Sequence, residues 1–318
     1  MFPDNPVVTV PAGADPIAWT KAERDRLRAE VALHGAVKVR GFDSADFAGR
    51  AAEVMTILAD SLMPDREGFV PRKDYGDRIY STSRWPAGQP MCMHHTQSHL
   101  LEVPSLLVFA CLEAPERGGS TPLAAAAEVL GALPEPLVDR FRYEGWLLTR
   151  TYHYSVGVNW PEAFGTNDRA EVEARCRATA TEVTWLPDGG LRTAQRRHAI
   201  ITHPITGEEL WFNQFAFLNE WTMAPEIREY LVEVYGRENL PQNTFMGDGS
   251  EVDPAVIDLI NATYDAATRE NRWAAGELLL VDNLRMAHAR TPYEGTRTVL
   301  VAIADPVAIN EFTQRECE

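Results

Sequence analysis

A chain of 318 residues with 45% hydrophobic and 24% charged residues is long enough for one large core and has the composition of a globular enzyme. Its formal net charge of −16 argues against a nucleic-acid surface, which needs clustered Lys and Arg to displace counterions, and reads as a solvated acidic exterior. Cys92, Cys111, Cys176 and Cys317 form no C-x-x-C pair and are too sparse for a disulfide scaffold, so they read as reduced thiols in a cytoplasmic protein.

In chain order, Met1-Phe2-Pro3-Asp4-Asn5-Pro6 has no basic stretch followed by an apolar one, and no apolar run approaches the roughly 20 residues that span a bilayer. Neither secretion nor membrane insertion is expected. Trp19 to His34 sets Leu27, Val31 and Leu33 among Lys, Glu and Arg, the pattern of an amphipathic helix; Ala36 to Arg40 then alternates as a strand that Gly41 ends. A second helix is predicted from Ser44, read as its N-cap, to Leu62. After a loop from Pro86 to Pro90, Met91 to His99 reads as a strand, with Ser105 to Cys111 a buried strand behind it. Glu128 to Phe141 is helical, broken at Pro134 and Pro136, and Arg169 to Ala178 is helical again. A hairpin is predicted between Leu191 and Asn213, turning at Pro204-Ile205-Thr206-Gly207. Gly276 to Asn283 and Thr298 to Ala304 are two further strands around a Gly- and Pro-containing connection.

Strands spread along the whole length with helices between them, without a repeat or linker, point to a single domain over residues 1–318 of class α+β, built as a two-sheet jelly roll with helical insertions. A doubly wound α/β fold would need a Gly-rich phosphate turn and regular strand–helix alternation, and has neither.

Single histidines are weak signals, but two stretches combine. His94 stands at a strand, and His288 follows the apolar run that ends at Asp282-Asn283. Imidazoles on neighbouring strands can converge on one metal, and a non-haem Fe(II) oxygenase uses two histidines and one carboxylate.

Around these residues the chain resembles the TauD/TfdA group of Fe(II)- and 2-oxoglutarate-dependent oxygenases, in its syringomycin-biosynthesis-type branch. The matching stretches are Gly118-Gly119-Ser120-Thr121-Pro122-Leu123, Thr202-His203-Pro204 with Trp211-Phe212-Asn213-Gln214, Asp282-Asn283, His288-Ala289-Arg290 and Gly295-Thr296-Arg297, in family order. The resemblance implies a double-stranded β-helix, a cupin-like barrel, with iron on His94 and His288. It also implies that Arg297 grips the distal carboxylate of 2-oxoglutarate, with Thr121 adding a hydroxyl, because a planar guanidinium fork matches a carboxylate. Asn213 should lie near the metal, as a substrate contact or as a satisfied polar group inside the barrel.

The chain departs from the family at Thr96. Relatives read His-x-Asp or His-x-Glu here, and the spacing from His94 to Thr121 agrees with theirs, whereas His95 would require a one-residue slip that turns the side chain to the other face. The carboxylate position therefore falls on Thr96, and a neutral hydroxyl is a poor ligand for Fe(II). Members with Ala or Gly at this position bind chloride in the freed place and chlorinate their substrate. Three readings stay open: chlorination, which Thr96 favours; hydroxylation or desaturation, with water, Gln97 or another group completing the iron shell, which an engineered loss of an acid would also produce; and a silent binding protein. A second departure is Ala124-Ala125-Ala126-Ala127, in place of a polar stretch, read as helix-favouring alanine packing. The implied substrate is a small amino-acid-like or natural-product molecule, free or carrier-bound. Arg72, Arg78, Arg84, Arg150, Arg192 and Arg290 are the cations from which a carboxylate or phosphate partner can come.

Overall fold

The computed structural model describes residues 5–65, 68–69, 72–82, 85–310 and 312; Arg84 and Cys317 lie outside these, as does Met1–Asp4. The first helix, Pro16–His34, begins where Asp15 accepts a hydrogen bond from the amide of Ala18 and ends at Gly35, whose φ of 81° is left-handed. The second runs Ser44–Leu58, four residues shorter than its pattern suggested. Its cap is Asp43, not Ser44: the Asp43 carboxylate takes the amides of Ala45 and Asp46 at 3.1 Å each. It stops early because Arg24 and Arg28, from the first helix, donate to the carbonyls of Ile57 and Leu58 at 2.8 and 3.0 Å, satisfying the last turn from outside.

Six strands form the main sheet, in the order Val7–Thr9, Ala36–Arg40, Glu277–Asp282, Glu102–Glu113, Thr298–Ala308, Ile79–Ser81. Only the first pair is parallel. Leu278 and Leu280 pack on one face with Leu27, Val31, Phe47 and Val54 of the two helices, while Leu279 and Val281 pack on the other. Burial on both faces explains why this strand is an unbroken apolar run, each such side chain contributing about 1.5–3 kcal/mol.

A second, four-stranded sheet faces the first, in the order Thr268–Arg269, Leu123–Ala125, Met286–Arg290, Met91–His94. Leu123, Ala125 and Met286 from it share one core with Leu107, Phe109, Leu279 and Val301 from the main sheet, which makes the pair a jelly roll. A third sheet of Gln242–Met246, Trp146–Tyr152, Leu191–Arg197 and Thr181–Trp185 stands beside them, and the predicted hairpin is the antiparallel pair Ile200–Thr202 and Glu209–Trp211.

Three expectations near the site are corrected. Met91 to His99 is strand only to His94; the chain then turns, with Gln97 at φ 57°. His288 does not sit in a connection but on its own strand, Met286–Arg290. The alanine run is half strand: Ala124 and Ala125 lie between Thr268–Arg269 and Met286–Arg290, and the helix Ala126–Ala132 starts after them. Ala124, Ala125 and Ala126 are buried and Ala127 is half-buried, and Ala124 belongs to the same core as Ala287. Among the described residues no helix is long and apolar enough to cross a membrane.

Candidate active site

His94 and His288 are direct cross-strand partners, with ring centroids 4.4 Å apart and planes at 52°. Beyond them the register slips, Arg290 pairing with Met91, so the Met91–His94 strand carries one extra residue and turns both Met91 and His94 toward the interior. His94 uses Nδ1 to donate to the carbonyl of Cys92 at 2.9 Å, leaving its free lone pair on Nε2. Its ring stacks on Phe217 at 4.5 Å. His95 faces away, Nδ1 donating to the carbonyl of Asn283 and the ring against Phe212, and lines no part of the cavity.

Thr96 stands beside both imidazoles, its hydroxyl 3.3 Å from His288 Nε2. The backbone there is clamped by Asn283, whose side-chain oxygen accepts from the Thr96 amide at 2.9 Å while its amide donates to the carbonyls of Thr96 and Pro104. Asn283 itself follows Asp282, whose carboxylate caps the amides of Leu284 and Arg285 and receives Nε2–H of His203 at 3.2 Å. The His203 tautomer follows from its Nδ1, which accepts from the amides of Ile205 and Thr206. The Thr-His-Pro and Asp-Asn stretches thus build the turn that fixes Thr96. Among the described residues no three His, Cys, Asp or Glu side chains come together as a metal-binding group.

The same cavity holds Thr121 and Arg297 as well as His94, Thr96 and His288. Arg297 donates to the carbonyl of Gly119 at 2.8 Å, to Thr82 Oγ1 at 3.1 Å and to Thr121 Oγ1 at 3.3 Å. All three are neutral oxygens, and among the described residues no carboxylate pairs with it. Desolvation pushes its guanidinium down to about 10, still cationic at neutral pH, so the cavity contains a half-buried positive charge without a counterion among the described residues. Thr121 Oγ1 also accepts from Trp273 Nε1 at 2.9 Å; with both lone pairs engaged, its hydroxyl hydrogen is left to donate to an anion. Gly119 is required here, because its φ is +65° and a Cβ would come within 3.1 Å of Arg297 Cδ and 2.6 Å of Pro115.

Burial also governs the histidines. It pushes His94 and His95 down to about 4 and His99 to about 3, and holds His288 well below the ordinary value of 6.5. Folded, they stay neutral; unfolded, they protonate below about 6.5, so the unfolded chain binds more protons and stability falls as the pH drops from there toward about 4. We expect urea unfolding of the metal-free protein to show this decline, with a flat profile contradicting it.

A second cavity adjoins the first through Arg72, Met91, His94 and Thr96, and adds Asp65, Gln97, His99, Gln214 and Phe217. Asp65 and Arg72 pair across it at 3.4 Å, and His99 Nδ1 donates to Gln214 Oε1 at 2.9 Å. Asn213 lines neither cavity: its amide donates to the carbonyl of Ala199 and its oxygen accepts from the amide of Phe215, so it is the satisfied polar group of the two readings, and its neighbour Gln214 is the one that reaches the cavity. Of the singled-out arginines, Arg72 and Arg290 line the first cavity; Arg290 is held by the carbonyls of Trp85, Pro86 and Gln89. Arg78 donates to the carbonyl of Leu62, Arg150 stacks on Phe69 and Tyr152, and Arg192 lies on the third sheet. Thr82 and Trp273 went unremarked in the sequence. Trp273, three residues before the glycine that opens a strand, carried a usable signal, whereas Thr82 carried none.

The family model for the taurine catabolism dioxygenase TauD, TfdA family, matches residues 10–303. The chain belongs to the TauD/TfdA family. Dapdiamide synthesis protein DdaC from Enterobacter agglomerans is 33% identical over 86% of this chain and 83% of its own. A clavaminate synthase-like protein from Arabidopsis thaliana is 24% identical over 95% and 91%. Among solved structures, AAD-2 in complex with Mn(II) and N-oxalylglycine superposes with a TM-score of 0.51 at 14% identity, over 97% of this chain and 95% of that one, and PvcB from Pseudomonas aeruginosa with 0.50 at 15%, over 94% and 85%. These likenesses are of fold. The TauD/TfdA family is one of Fe(II)- and 2-oxoglutarate-dependent oxygenases, and the cavity fits both groups by its own chemistry: two neutral imidazoles on paired strands, and a half-buried guanidinium lacking an anion among the described residues.

Proposed function

We propose that this TauD-family protein is an oxidoreductase that functionalises an aliphatic C–H bond of a small amino-acid-like or natural-product substrate, and that chlorination is its reaction. The observation that carries the reading is Thr96, whose hydroxyl stands 3.3 Å from His288 Nε2 where a carboxylate would complete the ligand set. His94 and His288 hold iron, and Arg297 with Thr121 holds the distal carboxylate of 2-oxoglutarate. When bound, iron and 2-oxoglutarate supply oxygen-dependent removal of a substrate hydrogen coupled to decarboxylation of the cosubstrate. The chain's own part is to orient and exclude: Met91, Phe109 and Val301 line the cavity with apolar surface, and the Thr96 hydroxyl would donate a hydrogen bond to a chloride beside the imidazoles. The dapdiamide synthesis role named for DdaC supports a natural-product substrate.

The test is mass spectrometry of anaerobically reconstituted protein given 2-oxoglutarate and oxygen, with and without chloride, against amino acids and nucleosides. A chlorinated product that Thr96→Asp abolishes is expected; hydroxylation indifferent to chloride would make the protein an oxygenase in which water completes the shell, and absence of succinate release would make it a binding protein. Trp273→Phe removes one hydrogen bond to Thr121, worth about 0.5–1.5 kcal/mol. It should weaken N-oxalylglycine binding to the metal-loaded protein roughly threefold to tenfold while leaving turnover at saturating 2-oxoglutarate unchanged; equal affinity would remove Trp273 from the site.

A further inference from the structure

The largest cleft adjoining the site has no part in the reading so far. It lies between the Trp85–Pro90 loop, Cys92 and the segment carrying Met223, Ala224, Ile227 and Leu231, and its walls are mostly apolar. Two features tie it to the histidine pair. Phe217 lines both this cleft and the polar second cavity, and its ring stacks on His94 at 4.5 Å. Cys92, which also lines the cleft, supplies the carbonyl that fixes His94 Nδ1. A polar cavity bearing Asp65, Arg72, Gln97 and Gln214 and an apolar cleft therefore share the Phe217 side chain as part of their walls.

We propose that the cleft receives the apolar arm of an amphiphilic small-molecule substrate whose compact polar head occupies the second cavity, with Phe217 setting which carbon of the chain stops beside His94. Concave apolar surface with a few convergent polar groups at one end is the chemistry of a small-molecule site, and an alkyl or acyl chain gains free energy with each methylene it buries. This deepens the proposed function, on which it rests for the identity of the site, but it makes a claim about binding that needs neither iron nor turnover.

The experiment uses the metal-free full chain and a homologous series of probes, N-acetylglycine through N-decanoylglycine, followed by titration calorimetry. Affinity should rise by about fourfold per added methylene until the cleft is filled. Leu231→Trp fills the cleft from its buried wall and should flatten that rise while leaving the shortest probe unaffected; Met223→Trp, on a half-buried wall, should do the same if the first variant fails to fold. Affinity independent of chain length, or an unchanged rise in the folded variants, overturns the proposal and leaves the cleft to another kind of partner. Because no iron or 2-oxoglutarate is present, a protein that binds the series and lacks turnover separates the failure of the catalytic reading from the failure of this one.

Discussion

His288→Ala is expected to abolish iron retention. Removing even the outer partners of a metal ligand costs 10–100-fold in affinity, and here the ligand itself goes from a set that offers two imidazoles and no carboxylate, so a loss greater than about 100-fold is expected. The same variant should fold. The wild-type ring carries a buried Nδ1 with no hydrogen-bond partner among the described residues, so removing it relieves a cost as well as leaving a small void. The acid decline of stability should also flatten by the share of one buried imidazole. Anaerobic Fe(II) titration together with urea unfolding at two pH values checks both halves, and iron retained by the folded variant would remove His288 from the ligand set.

Arg297→Ala separates cosubstrate binding from stability in the same way. In the unliganded protein this half-buried guanidinium rests on neutral oxygens with no acid among the described residues to offset its desolvation, so its removal should cost the metal-free protein little stability. Affinity for N-oxalylglycine or 2-oxoglutarate should fall by about 2–5 kcal/mol, roughly thirtyfold or more, because the ligand carboxylate then enters the cavity unpaired. The wild-type protein should gain thermal stability on binding the ligand and the variant should not. Unchanged saturation with 2-oxoglutarate in Arg297→Ala would mean that the anion is held elsewhere.

The fold was legible wherever burial had one pattern. The Leu278–Val281 run, the Ala36–Arg40 alternation and the helix Arg169–Ala178 carry unambiguous periodicities, and the structure has elements there. The strand Met286–Arg290 was missed because Met-Ala-His-Ala-Arg alternates large interior groups with methyls, a pattern without the branched and aromatic residues that mark strands. Of its large side chains only Met286 joins the core, while His288 and Arg290 line the cavity. The same conflict hid the strand half of the alanine run, where propensity favours helix and the close approach of neighbouring strands prevails. At the site, His94, Thr96, Thr121, His288 and Arg297 converge on one cavity from two stretches of sequence far apart along the chain. What could not be read were the intermediaries: Asn283 as the clamp on Thr96, Trp273 as the support of Thr121, and the fact that Gln214 rather than Asn213 turns inward. Each depends on where a side chain points after a turn, which one-dimensional spacing does not encode.

The central claim is that one metal ion sits between His94 and His288 with a hydroxyl, not an acid, in the third place. Its most direct test is a crystal structure of the protein grown anaerobically with Mn(II), N-oxalylglycine and chloride. The account predicts the metal bound by both imidazoles, the inhibitor's distal carboxylate on Arg297, and chloride or water beside Thr96. A metal held by an Asp or Glu oxygen in that place, or bound away from either histidine, would contradict it.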